Sequence, residues 1–431
     1  MSFQLSNDQL NAIDGICNEL VYKVAPNTHA IAVLTGPAGT GKTTVVTEII
    51  NQLRKNAPTT PIGLCATTHR AATVLEDIVG QTVVTGHALF KLRPNITRNG
   101  REVLQSTGKC EILNNSVVII DEASMIGNQF LKAIVDIVKD RSLRLLFIGD
   151  PFQLPPPVDK CSIFDGSLKT FRLTKVHRQV GDNPILDKAT EFRQFIEKTG
   201  PEPVLENYIN NNNEGIHILP HSEFVTKFVE KYIDYTTGAE VDVPLCTYTN
   251  DSAINYNNMI RKAAYFLENT IEPFYKGERL IANSAVIQDD HTIMTNNEII
   301  HVNGYSEGKH HEIPGYYVVV DGEYNRYQGS SVKTVFCPKS KAIATKVLNE
   351  LKAIAIQNKS KEDWRSFYAL KNSLADLRPP FAGTTHKAQG GTFPAVFIDK
   401  LNIDKCRNPV TRAQLFYVAL TRATTNVYIN S

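Results

Sequence analysis

The chain's 431 residues are too many for one ordinary core and imply two or three domains. Its composition, 42% apolar and 21% charged with no low-complexity stretch, is that of a soluble globular protein and excludes fibrous, disordered and membrane-spanning classes. A near-balance of 46 basic and 44 acidic side chains leaves a net charge of +2, so a nucleic-acid partner would have to be met by positive charge gathered in a groove.

The opening MSFQLSNDQLNAI lacks the basic-then-apolar layout of a signal peptide. Seven cysteines, odd in number, scattered and without a C-x-x-C pair, read as reduced core residues, which points to a cytoplasmic protein. Apolar runs then alternate with helical patterns. IAVLT (31–35), IGLCA (62–66), VVIID (117–121) and RLLFIG (144–149) each end in a polar or glycine-containing turn, and helices such as 43–53 and 129–138 follow. This predicts a parallel α/β sheet with its ligand loops at the strand ends. Between them, 89–105 (LFKLRPNITRNGREVLQ) predicts a β-hairpin with a tight turn at Asn99-Gly100. VPLCTYT (243–249), AVFID (395–399) and VYI (427–429) suggest a second α/β unit. The stretch 272–377 interrupts it with a β-rich part (YYVVV, then VKTVF) and a helical hairpin, whose second helix opens with a capping box at Ser360 and Asp363. Trp364 and Phe367 on that helix are expected to pack the two helices together.

GPAGTGKTT (36–44) fits G-x-x-x-x-G-K-[ST] between a strand and a helix. Gly36, Pro37, Ala38, Gly39, Thr40, Gly41, Lys42, Thr43 and Thr44 are therefore the candidate phosphate cradle. Successive backbone N–H groups and the helix N-terminus favour the anion, Lys42 reaches the β/γ oxygens, and Thr43 can hold Mg²⁺. VVIIDEAS (117–124) ends an apolar strand in two carboxylates. Asp121 would secure the Mg²⁺ shell, and Glu122 would orient or deprotonate the attacking water. Together these predict nucleotide hydrolysis. With no N-K-x-D signature, ATP is preferred to GTP. Gln153 in IGDPFQLPP (148–156) stands where a side chain can sense the γ-phosphate. Arg178 and Arg422 are candidates to close on it, a role worth about 10³–10⁵ in rate.

The order of LSNDQLNAI, GPAGTGKTT, TTHRAA, TGHALF, VVIIDEAS, GDPFQLPP, LTKVHR, THKAQG and FYVALTRA resembles the superfamily 1B DNA helicases, with a RecD-like motor. The resemblance spans about 1–265 and 378–431. It implies two RecA-like domains, 1–88 with 112–178 and 179–271 with 378–431, with ATP between them and single-stranded DNA across their tops. It also implies 5′→3′ movement, a pin hairpin at 89–111 that splits the duplex, and a β-barrel-like plus helical insertion at 272–377. By resemblance Gln9 reads adenine, Gln389 and Gly390 face the ATP cleft, and Thr384, His386 and Lys387 hold the DNA backbone. Thr68, His69, His87 and Pro94 are further DNA contacts. The pin departs from the phage members in lacking an aromatic near its tip; Ile96, Val103 and Leu104 are the apolar candidates. The chain is expected to work as a monomer on forked DNA, with the insertion as a place for a single-strand-binding or replication protein. Two other readings stay open: a translocase that displaces proteins or acts on RNA with little unwinding, and a P-loop switch or kinase without a polynucleotide partner.

Overall fold

The computed structural model describes residues 5–25, 27–96, 102–106, 110–156, 159–175, 183–236, 244–265, 272–288, 291–322 and 332–431. Its first sheet has six parallel strands in the spatial order Val84–Thr85, Ile62–Ala66, Val117–Asp121, Arg144–Gly149, Ala30–Thr35, Lys169–Arg172. Strand residues alternate between two cores. Ala32, Leu34, Val117, Ile119, Leu146 and Ile148 pack against helices Asn7–Cys17, Lys42–Asn56 and His69–Val79. Val33, Val118, Ile120, Leu145 and Phe147 face helix Asn128–Asp140. Burial on both faces is why these strands read as continuous apolar runs and not as alternating ones.

The second sheet runs Ala382–Thr384, Leu245–Thr247, Phe393–Ile398, Ala423–Asn430, Gly215–Leu219, Tyr208–Ile209. Its first five strands are parallel and Tyr208–Ile209 is an antiparallel edge, an element without a clear sequence signal. Val396, Ile398, Val427 and Ile429 pack against helices Pro184–Ile196 and Pro409–Arg422, and Phe397 faces Phe224, Phe228 and Tyr256. Both helices of the first group begin with proline, each behind an asparagine whose side chain accepts backbone N–H bonds: Asn183 from Ile185, Asn408 from Thr411.

The insertion is a five-stranded antiparallel sheet, Val332–Pro338, Ile313–Gly322, Ile299–His310, Arg279–Ala282, Leu377–Arg378. A bridge between Phe336 and Leu374, with Ala375 N–H donating to Phe336 C=O at 2.8 Å, draws its two edges together at one end. That single closure gives the barrel-like form. Helices Lys341–Asn358 and Lys361–Ser373 lie beside it. Ser360 Oγ accepts from the Glu362 and Asp363 N–H groups, but Asp363 takes its own bond from Asn358 Nδ2, so the N-cap forms with a different partner for the carboxylate. Phe367 is buried, with Trp364 of the same helix edge-on to it at 5.7 Å, a contact within one helix that does not itself join the two. All seven cysteines are free thiols and six are buried.

The hairpin in the first domain pairs Leu92–Ile96 with Glu102–Ser106 in a register that sets Ile96 opposite Glu102. An odd number of residues therefore separates the strands, so a two-residue turn centred on Asn99-Gly100 does not fit; those two residues lie outside the described ones. Leu104 packs into the first domain's core, anchoring the hairpin and removing one apolar candidate from its tip.

Candidate active site at the domain interface

Strand Ala30–Thr35 lies inside the first sheet, and Gly36 N–H donates to Gly149 C=O at 3.3 Å as the chain leaves it. The loop turns through Gly39 (φ 82°) and Gly41 (φ 77°), a left-handed region that costs an ordinary residue about 1–2 kcal/mol. Thr40, fully buried, donates its hydroxyl to Pro37 C=O at 2.9 Å. Lys42 Nζ donates to the carbonyls of Gly36 (2.7 Å) and Pro37 (3.1 Å), which holds its charge over the loop. Thr43 and Thr44 follow in the first turn of helix Lys42–Asn56.

Gln9 has no exposed surface. Its Oε1 accepts from Ser6 N–H at 2.9 Å and its Nε2 donates to Thr40 C=O at 3.1 Å. A Cβ at position 41 would lie 2.5 Å from Gln9 Nε2, so glycine there serves both the turn and this contact. The glutamine is thus a brace of the P-loop, with both ends of its amide engaged.

Asp121 ends the neighbouring strand. Its Oδ1 accepts from Glu122 N–H at 2.8 Å, and Glu122 itself sits at φ 53°, a strained position of the kind that marks working sites. Thr67 Oγ1 donates to Glu122 C=O at 3.1 Å, tying the carboxylate pair to the strand end at TTHRAA. Burial raises the Asp121 pKa, with the Glu122 carboxylate adding to it and the Glu122 N–H and Lys42 opposing. A divalent cation would relieve that penalty. The Thr43 hydroxyl and Asp121 carboxylate are hard oxygen donors, so the residues fit Mg²⁺.

Two residues that sequence reasoning did not single out join this cluster. Asp150, fully buried after strand Arg144–Gly149, accepts from Phe152 N–H at 3.0 Å and from the Tyr417 hydroxyl at 2.5 Å. Burial raises its pKa, opposed by Lys42 and by these bonds. Tyr417 belongs to helix Pro409–Arg422 of the second domain, and its oxygen also accepts from Ala38 N–H of the P-loop at 3.4 Å. Both lie within quoted motifs, but no local pattern announces a contact between residues 267 positions apart.

Gln153 is buried between the domains. Its Oε1 accepts from Gln389 Nε2 at 3.4 Å and its backbone carbonyl from Gln414 Nε2 at 3.1 Å. Gln389 also donates to Leu154 C=O at 3.2 Å, while its own Oε1 is buried without a partner. Gly390 (φ 78°) packs against the start of helix His69–Val79, where a Cβ would stand 3.2 Å from Ala71 Cβ and 3.5 Å from Thr68 Oγ1. Next to it the Arg70 guanidinium lies 4.3 Å over the Phe393 ring. Arg422 is buried and donates to Val418 C=O, Gly391 C=O and Thr421 Oγ1, all in its own domain. Arg178 lies outside the described residues.

Most of the proposed DNA contacts stand just past strand ends of the two sheets. Thr68 N-caps helix His69–Val79 and accepts from Ala71 N–H at 3.2 Å, so its hydroxyl oxygen already has one bond. His69 and His87 are exposed, and His87 lies edge-on to Phe130 at 5.3 Å, which fixes its ring. Pro94 falls in the first hairpin strand, opposite Leu104. Thr384 ends the edge strand of the second sheet, and His386 and Lys387 follow on the short helix Thr385–Ala388. Lys387 is an exposed residue whose pKa is nonetheless pushed down to about 8, first by desolvation of its amine and then by Arg378 and Lys341, with Asp376 opposing.

The AAA domain family matches residues 5–199 and the UvrD-like helicase C-terminal domain family matches residues 380–430. The ATP-dependent DNA helicase dda of Enterobacteria phage T4 is 25% identical over 464 residues, covering 98% of either chain. The ATP-dependent RecD2 DNA helicase of Deinococcus radiodurans is 31% identical over 188 residues; that match takes in 43% of this chain and only 23% of RecD2. The crystal structure of a Bacteroides Pif1 helicase in complex with ADP-AlF3 and ssDNA aligns with 100% of this chain and 93% of its own at 17% identity, with a TM-score of 0.45.

Proposed function

Since the chain belongs to the superfamily 1B helicases, we propose that it is an ATP-dependent DNA helicase that moves along single-stranded DNA and separates the duplex ahead of it. The observation that carries this reading is the bonding across the cleft. Tyr417, Gln414 and Gln389 of the second domain hold Ala38, Asp150 and Gln153 of the first, so events at the nucleotide reach the domain that carries THKAQG. A P-loop switch or kinase has no use for that cluster.

In this reading Lys42 and the 36–44 backbone bind the ATP phosphates, and Thr43 and Asp121 would hold Mg²⁺, which would supply positive charge to the phosphate oxygens. Glu122 takes the proton of the attacking water, and the Thr67 bond to its carbonyl holds the strained backbone from which that carboxylate projects. Gln153 follows the γ-phosphate. Gln9 holds the P-loop from beneath; adenine contact requires it to exchange one of its two bonds. Arg422, now bonded within its own domain, would turn toward the phosphate as the domains close, joined by Arg178. Loss of the γ-phosphate weakens that attraction and opens the cleft once per ATP. Thr68, His69, His87, Thr384, His386 and Lys387 grip phosphates of any sequence, as a stepping motor requires.

The sheet limits support dividing the chain at 1–88 with 112–178, 89–111, 179–271 with 378–431, and 272–377. The phage relative supports a setting in the cytoplasm of a bacterial host; 5′→3′ polarity and a part in replication or recombination belong to the same proposal. One observation favours the translocase reading instead: Leu104 is committed to the core, leaving the hairpin few apolar groups to wedge a fork. Unwinding of a short duplex bearing either a 5′ or a 3′ single-stranded tail separates these. Separation from the 5′ tail with ATP alone supports the helicase and its polarity. Separation from the 3′ tail keeps the motor and reverses the polarity. ATPase stimulated by single-stranded DNA without separation leaves the translocase.

A further inference from the structure

Helix Pro409–Arg422 presents Gln414 and Tyr417 on one face, three residues apart, to the first domain. Gln414 takes the backbone of the sensor loop at Gln153, while Tyr417 reaches deeper and touches two separate elements at once. Its hydroxyl donates to Asp150, at the root of the sensor loop, and accepts the N–H of Ala38, within the phosphate cradle. Asp150 in turn fixes that loop: its side chain takes the Phe152 N–H and its carbonyl takes the Gln153 N–H at 3.2 Å. Asp150 is also close enough to Lys42 for their charges to interact. One phenol oxygen therefore joins the cradle, the sensor loop and the second domain, and both Tyr417 and Asp150 are buried while Ala38 is half-buried.

We propose that the Tyr417 hydroxyl is the positioning group that couples nucleotide occupancy to the DNA grip. An N–H shared between Tyr417 and a phosphate oxygen lets filling of the cradle alter the hold of the second-domain helix on Asp150. The same helix faces the short helix bearing His386 and Lys387 across the second domain's core, so the change arrives where DNA is held. This rests on the helicase reading above. Tyr417 does not touch the reacting atoms; it acts through Asp150 and Ala38.

The test is a linkage measurement on the full chain. The Kd for a short single-stranded oligonucleotide is measured by fluorescence anisotropy with and without a saturating non-hydrolysable ATP analogue. The ratio of the two is the coupling factor, commonly about 5–150-fold in coupled systems. Tyr417→Phe keeps the ring and removes only the oxygen. It should bring the factor close to one while the Kd without nucleotide stays within about twofold of wild type. Asp150→Asn puts an amide donor in place of one of the two carboxylate acceptors and should lower the factor too, and Tyr417→Phe should add nothing to that loss in the double variant, because the bond between the two side chains is already gone. Circular dichroism melting confirms that each variant folds, and Asp150→Asn carries the test if Tyr417→Phe does not. A wild-type factor retained in Tyr417→Phe, or additive losses in the double variant, overturns the inference. Wild type that binds the analogue without any change in DNA affinity overturns it alone; wild type that binds no analogue overturns the helicase reading with it.

Discussion

Lys387 offers a pH experiment whose size follows from its surroundings. Desolvation and the charges of Arg378 and Lys341 lower its pKa to about 8, against the partial relief given by Asp376. The sign is that of a cation held below its ordinary range: the charged form is penalised in the free protein, and a DNA phosphate restores it. Binding therefore requires proton uptake wherever the free side chain is neutral. With a pKa near 8, about a tenth of the molecules lack that proton at about pH 7 and about nine tenths lack it at about pH 9. The penalty factor grows from about 1.1 to about 11, so single-strand affinity should fall about tenfold across this window. Anisotropy with an oligo-dA or oligo-dC probe, whose bases do not titrate there, measures it. Lys387→Arg should bind with a nearly flat profile, since guanidinium stays charged throughout. A flat wild-type profile, or an unchanged slope in Lys387→Arg, would refute the placement of this amine on the DNA backbone.

Other outcomes follow from the same geometry. Lys42→Ala should abolish ATP turnover in a phosphate-release assay, because the charge held over Gly36 and Pro37 is the one proposed to meet the β/γ oxygens. Glu122→Gln should retain ATP-analogue and DNA binding while turnover drops by about 10²–10⁴, the usual worth of a general base; loss of analogue binding would count against that role. Gly390→Ala places a Cβ 3.2 Å from Ala71 Cβ and forces alanine into a left-handed conformation costing about 1–2 kcal/mol. If that cost falls on the apposed domains, DNA-stimulated kcat should drop about 5–30-fold, and a wild-type kcat would sink the idea. Replacing residues 93–104 by a short Gly-Ser turn should abolish unwinding and spare single-strand-stimulated ATPase.

The phosphate site was legible because its rule is local. Gly39 and Gly41 are needed for their own φ angles, and Lys42 and Thr43 follow from the helix that starts there. The buried strands announced themselves for a similar reason, since a sheet covered on both faces leaves no polar alternation. What the sequence withheld was set by distant partners. Gln9 carries its meaning only once Thr40 is placed beside it, and Asp150 only once Tyr417 is. The hairpin's existence was readable from its composition, but its register was not. Asn99-Gly100 favours a two-residue turn locally, whereas the strands pair one residue out of that alignment, with Ile96 opposite Glu102. Arg422 was proposed for the γ-phosphate from its company, and its bonds here go to Gly391 and Val418, which no spacing rule relates to it.

The order of the second sheet also bears on how the protein is made. Strand Ala423–Asn430, the last of its strands along the chain, sits between Phe393–Ile398 and Gly215–Leu219 and pairs with both. Until it arrives, the strands from 208–219 and those from 245–398 share no backbone hydrogen bonds and form two separate ribbons with open edges. The first sheet, complete by residue 172, has no such dependence and can mature during synthesis. A nascent chain would thus complete its first sheet well before the second, so that the contacts of Tyr417 and Gln389 with Asp150 and Gln153 await the same late strand.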